Sequence, residues 1–141
     1  MTTTPAGHVE IPVERAMTKG VVAVLDRVPM REVRSVTSQH GYNGFPVLNG
    51  EGRLVGMITK GDVLRVIAAG LDDPAVWQQP VSRWMAKGVL ALRPVDPVRR
   101  AIEGMVDQNL RSLPVIDDDA HVVGIVSRND VIAAVEGRWQ R

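Results

Sequence analysis

The sequence predicts an α+β fold in which two β-α-β-β-α units pack sheet to sheet about a pseudo-twofold axis. Three observations carry the prediction. The chain repeats itself in fixed register, short β-branched runs alternate with runs of helical period, and the apolar residues are almost all aliphatic. Met17, Lys19, Gly20, Val21 and Ala23 fall on Met85, Lys87, Gly88, Val89 and Ala91, an offset of 68 residues. Pro29 falls on Pro97, and Pro46-Val47 on Pro114-Val115. Val55-Gly56 falls on Val123-Gly124, and Asp62-Val63 on Asp130-Val131. No gap interrupts the register between residues 13 and 68, so one supersecondary unit is written twice. The copies occupy residues 11–70 and 71–137, behind a flexible tail over residues 1–10.

Each copy begins with a short β-branched strand, Val21–Leu25 and Val89–Arg93. Pro29 and Pro97 suit the first turn of the helix that follows, and Asp96 is placed to cap the second of these helices. In that helix Ala101, Ile102, Met105 and Val106 recur at helical spacing, and Asn109 fits the left-handed residue past its end. Gly41 takes that part in the first copy. Phe45–Leu48 and Arg53–Thr59 flank the hairpin signal "NGEG", and "DDDA" at 117–120 repeats the arrangement. "DVLRVIAAG" and "DVIAAVEG" close the copies as short helices. Between the copies, Asp73-Pro74 predicts one further short helix in the crossing segment, residues 69–80.

Composition narrows the function classes. The chain has 141 residues, 45% of them apolar but only 4% aromatic, so Val, Ile, Leu, Ala and Met must build the core. No apolar run approaches the roughly 20 residues of a membrane span, and "MTTTPAGHVE" lacks the layout of a signal peptide. The absence of cysteine removes disulfides, thiol nucleophiles and Cys-ligated metals, which makes a cytoplasmic setting the expectation. A net charge of +1 offers no broad field for nucleic acid or a membrane surface.

The most informative stretch is the doubled corner "VGMITKGDV" and "VGIVSRNDV", where a strand runs into a helix. Thr59 with Asp62, and Ser127 with Asp130, form a capping-box pattern, which by itself explains both hydroxyl and carboxylate. Two features exceed a cap. A helix N-terminus is an anion site by virtue of its free N–H groups. Lys60 and Arg128 stand there against the helix dipole, so stability alone would not choose them. An acidic residue on ribose with helix N–H groups on phosphate is a division of labour used by other nucleotide-binding folds.

The repeated "M-x-K-G-V" opening, the "F/L-P-V" strand and the "V-G-h-h-T/S-x-x-D" corner, h being apolar, resemble a tandem pair of CBS domains, a Bateman module. The resemblance covers residues 11–137. It implies clefts between the copies that hold AMP, ADP, ATP or S-adenosylmethionine, with the corner aspartate on ribose and the hydroxyl and basic groups on phosphate. Carried over, one cleft receives Thr59, Lys60 and Asp62 with Asn43, Gly44 and Phe45. The other receives Ser127, Arg128, Asn129 and Asp130 with Arg111, Ser112 and Leu113. The chain departs from the family pattern at Ala23 and Ala91, where Thr is frequent, and at Asn43-Gly44, where a basic residue is frequent. Arg111 and Arg128 converging on phosphate would make the second cleft the first to fill.

No catalytic constellation accompanies these motifs. His8, His40 and His121 lack metal-ligand spacing, and Asp117, Asp118 and Asp119 read as a solvated turn. Trp77 and Trp84 are expected to cover the core edge, and Trp139 beside Arg138 and Arg141 is thin support for base stacking. The expected function is regulatory sensing of an adenosine nucleotide, with no enzyme activity and with the regulated protein on another chain. The rival reading is a dimerisation adaptor without a nucleotide. Both closing helices are apolar nearly all round, which predicts a homodimer.

Overall fold

The computed structural model describes residues 6–139 and shows the expected elements of both repeats except the opening strand of the second. The first copy gives β1 (Val24–Leu25), α1 (Met30–Gln39), β2 (Gly44–Leu48), β3 (Leu54–Thr59) and α2 (Lys60–Gly70). The second gives α3 (Val98–Asp107), β4 (Ser112–Ile116), β5 (Val122–Ser127) and α4 (Arg128–Val135). The crossing segment forms a 3₁₀ helix, Pro74–Gln78, with the Asp73 side chain accepting from the Ala75 N–H, as Asp-Pro predicts.

The two compact units do not coincide with the two copies as written. One unit runs from Val22 to Val89; the other joins the chain up to Val21 with the chain from Leu90 onward. Thus the opening segment of each copy folds onto the sheet of the other copy. In the first unit β1 pairs parallel to β2, β2 pairs antiparallel to β3, and Ala86 bridges antiparallel to Met57 beyond β3. In the second unit Leu92 bridges parallel to Val115, β4 pairs antiparallel to β5, and Thr18 bridges antiparallel to Ile125.

Glycine permits that last pairing. A Cβ on Gly56 would lie 2.6 Å from the Ala86 carbonyl oxygen, and one on Gly124 would lie 2.3 Å from Met17 Sδ. Here the strand glycine marks the close approach of another backbone segment. Each unit has its own aliphatic core. Met30, Val33, Phe45, Val47, Ile58, Val66 and Val81 fill the first, and Val13, Leu92, Val98, Ala101, Leu113, Val115 and Val126 the second. Trp77 and Trp84 both pack against the core of the first unit.

Several local expectations are corrected. The strand expected over residues 89–93 shrinks to the single bridge at Leu92. In the first unit the Asp26 N–H donates to the Leu48 carbonyl at 2.8 Å, and the equivalent residue in the second is Pro94, which has no N–H to give. The first strand is likewise shorter than Val21–Leu25, holding only Val24 and Leu25. Pro29 and Pro97 are N-cap residues rather than first-turn residues, and Asp96 turns away from α3 to accept from the Arg93 N–H at 2.7 Å. Asn109 is left-handed at φ 54°, as expected, but Gly41 is not. Helix α1 stops at His40, whose backbone is already extended, so no left-handed residue is needed there.

The expected flexible tail, residues 1–10, lies partly outside the described residues. Of the rest, Ala6–Val9 forms a 3₁₀ turn, His8 Nδ1 lies 3.0 Å from the Val135 carbonyl, and Glu10 pairs with Arg99. The His8 ring meets Trp139 edge-on at 4.8 Å, and Arg15 lies over the same indole, so Trp139 is engaged by its own chain.

Candidate functional site

The β2–β3 hairpin register brings the sequence-predicted residues of the first corner together. Gly44 stands opposite Thr59, and the Asn43 carbonyl accepts from the Lys60 N–H at 2.9 Å. The second hairpin repeats this, with Ser112 opposite Ser127 and the Arg111 carbonyl accepting from the Arg128 N–H at 3.3 Å. Phe45 and Leu113 are 1% exposed. Their side chains belong to the cores, leaving only backbone to frame a corner.

Both capping boxes are complete. Thr59 Oγ accepts from the Asp62 N–H at 3.3 Å while Asp62 Oδ2 accepts from the Thr59 N–H at 2.9 Å. Ser127 Oγ accepts from the Asp130 N–H at 3.2 Å, and Asp130 Oδ2 from the Ser127 N–H at 2.9 Å. Each cap satisfies orphan donors at a helix start and contributes on the order of 1 kcal/mol.

Beyond the caps the two carboxylates are held differently. Asp62 Oδ1 pairs with the Arg65 guanidinium at 2.9 Å, and Thr59 Oγ also donates to Asp62 Oδ2 at 3.0 Å. Asp130 receives the Thr18 hydroxyl instead, at 3.3 Å to Oδ1 and 3.2 Å to Oδ2. Among the described residues no cation pairs with Asp130. The difference follows from three substitutions between the copies: Thr18 falls on Ala86, Arg65 on Ala133, and Trp84 on Ala16.

The basic residues also part company. Arg128 folds back on the turn after α3, donating from Nε to the Leu110 carbonyl at 3.1 Å and from Nη2 to Asn109 Oδ1 at 3.2 Å. Its head is therefore held at the left-handed Asn109. Arg111, Asn129, Asn43 and Lys60 are exposed, and their side chains have no polar partner among the described residues. Thr18 and Arg65 were not singled out from the sequence. The signal available was their failure to match across copies whose surrounding residues do match.

Other clusters hold together by turn chemistry. Asp117 Oδ1 accepts from the Asp119 and His121 N–H groups at 2.9 Å each, and Asp118 pairs with Arg93. The His121 bond, more than the Asp119 bond and nearby positive charge, lowers the Asp117 pKa from its ordinary 3.8. Asp117, Asp119 and His121 offer ligand atoms within 4.8 Å of one another, but their hydrogen bonds are those of a loop. An open groove of about 440 Å³ runs along α3 between Leu90, Arg100, Gly104 and Gln108, and includes none of the corner residues.

The chain resembles known proteins in sequence and in fold. The chain is 27% identical over 120 residues to homoserine O-acetyltransferase of Methanohalobium evestigatum, covering 85% of this chain and 23% of that enzyme. It is 25% identical to an uncharacterized protein of Methanocaldococcus jannaschii, covering 89% of this chain and 92% of that protein. The chain spans less than a quarter of the length of the curated enzymes it matches. Among solved structures it superposes on CBSX2 in complex with AMP with a TM-score of 0.79 and 22% identity, covering 90% of this chain and 97% of that one. It superposes on the CBS domain pair of protein MJ0100, in complex with 5'-methylthioadenosine and S-adenosyl-L-methionine, with a TM-score of 0.75 and 25% identity, covering 89% and 96%. The CBS domain family model matches twice, over residues 13–69 and 81–137, so the chain belongs to the CBS-domain family as a tandem pair.

Proposed function

We propose that this chain is a regulatory module that binds an adenosine nucleotide at its strand-to-helix corners and passes the bound state to a partner protein. The observation that carries the reading is the Asp130 carboxylate. It stands at the start of α4 with its orientation fixed by the Ser127 N–H and the Thr18 hydroxyl, yet no cation neutralises it among the described residues. A carboxylate oxygen accepts two hydrogen bonds, so Oδ1, which takes only the Thr18 hydroxyl, keeps capacity for one ribose hydroxyl. The positive end of the α4 dipole and the exposed Arg111 suit the phosphate. The solved CBS pairs bound to AMP and to S-adenosyl-L-methionine support the ligand class: AMP, ADP, ATP or S-adenosylmethionine.

The module acts as a sensor and not as an enzyme in this reading, within the cytoplasm and as a homodimer. Leu64 and Ile67 on α2 and Leu71 just past its end form one exposed apolar stripe at helical spacing, with Leu64 64% and Leu71 80% exposed. A second copy of the chain is the partner that such a self-complementary stripe fits. Among the described residues no helix is long and apolar enough to cross a membrane.

The completed capping boxes favour one rival, an interaction adaptor whose corner residues serve stability alone. Mass spectrometry of small molecules released from the purified protein, followed by AMP and ATP titration, separates the two. The sensor predicts an adenosine compound and saturable binding; the adaptor predicts neither.

A further inference from the structure

We infer that Arg65 and Trp84 close the Asp62 corner, so that the Asp130 corner is the single working nucleotide site of each chain. The inference rests on the proposed function and assigns its stoichiometry. Arg65 is tied at three points: its Nη2 donates to Asp62 Oδ1 and to the Trp84 carbonyl, both at 2.9 Å, and its guanidinium lies 5.5 Å from the Trp84 ring centre. With Oδ2 already holding the Thr59 N–H and hydroxyl, both oxygens of Asp62 are engaged by the protein.

Any one surface ion pair contributes little. A guanidinium shared between a carboxylate, a carbonyl and an aromatic face is held better than any single contact would hold it. With Oδ2 filled and one position left on Oδ1, a second ribose hydroxyl offered to Asp62 must displace one of these donors. On Oδ1 that donor is a cation, so a bond between two ions is exchanged for one with a neutral donor. At Asp130 the same hydroxyl competes only with Thr18, a neutral donor at 3.2–3.3 Å. The clamp is written into one copy only. Where the first unit has Arg65 and Trp84, the second has Ala133 and Ala16, small residues that cannot reach the carboxylate. Both members of the pair are absent together, as expected of two residues that work as one device.

Calorimetric titration of the full chain with AMP tests this. Wild type is expected to bind one AMP per chain, and Asp130→Asn to lose it by about ten- to hundredfold in affinity, the value of hydrogen bonds to a charged group. Arg65→Ala is expected to stay folded and to take up a second AMP, and Arg65→Ala with Asp62→Asn to lose that second site alone. Two AMP per wild-type chain, or an Arg65→Ala variant that gains no site, would overturn the inference while leaving the proposed function standing. No AMP binding in any variant would overturn both.

Discussion

The Thr18 hydroxyl lies 3.2 and 3.3 Å from the two carboxylate oxygens of Asp130, although 112 residues separate them in the chain. The contact exists because the opening segment of the first copy pairs with β5, where Thr18 exchanges backbone hydrogen bonds with Ile125 at 2.8 and 3.0 Å. Thr18→Val keeps the shape and removes the donor. It should cost about 1 kcal/mol, the net value of one such bond, read as a lower midpoint in urea unfolding. An unchanged midpoint would mean that the contact carries no weight.

The strand glycines should be sensitive to different degrees. Gly56→Ala drives a Cβ to 2.6 Å from a backbone oxygen, that of Ala86, which cannot step aside without breaking its bridge to Met57. Gly124→Ala meets Met17 Sδ and Cγ, atoms of a flexible side chain that can turn away in part. Overpacking costs roughly 1–3 kcal/mol, and Gly56→Ala should lie at the upper end. Denaturant unfolding of both variants checks the order.

Self-association should depend on the α2 stripe. Leu64→Lys in a position 64% exposed costs the isolated chain little, since no core contact is lost. In a dimer it buries a charge without a partner. Sedimentation should therefore give a particle of twice 15.4 kDa for wild type and of 15.4 kDa for Leu64→Lys.

The Asp117 turn should carry a small acid dependence. Hydrogen bonds from His121 and Asp119 lower the pKa of this exposed carboxylate from 3.8. A lowered folded-state value stabilises above the unfolded value, and that stabilisation is lost as pH falls through the folded value. The stability advantage of wild type over Asp117→Asn should thus be level at neutral pH and shrink below about 3.8. Thermal melts across that range measure it.

Much of this architecture is legible in the chain because a fixed offset pairs residues of like chemistry. The offset shows the strand-to-helix corner twice, and the capping pattern locates the starts of α2 and α4. What escapes are the effects of residues that break the repeat. Pro94 removes one N–H and reduces a strand to a bridge, an outcome that depends on a partner carbonyl no periodicity identifies. Arg128 reads as a phosphate ligand by residue type, and its bond to the left-handed Asn109 is one that residue type does not announce. Thr18 and Arg65 lie outside the corner motif, and only pairing across the sheet and the helical i,i+3 spacing bring them to the aspartates.

The central claim, that Asp130 serves a ligand as well as a helix, is tested most directly by thermal melts with and without millimolar AMP. A ligand at about a hundred times its Kd stabilises a protein by about 2.7 kcal/mol. Wild type should melt several degrees higher with AMP. Asp130→Asn keeps a polar group of the same shape, so it should remain folded without AMP and lose most of that shift, while Asp62→Asn should keep it. A wild-type protein that AMP does not stabilise, or an Asp130→Asn variant that keeps the full shift, would contradict the account and leave the carboxylate as a cap alone.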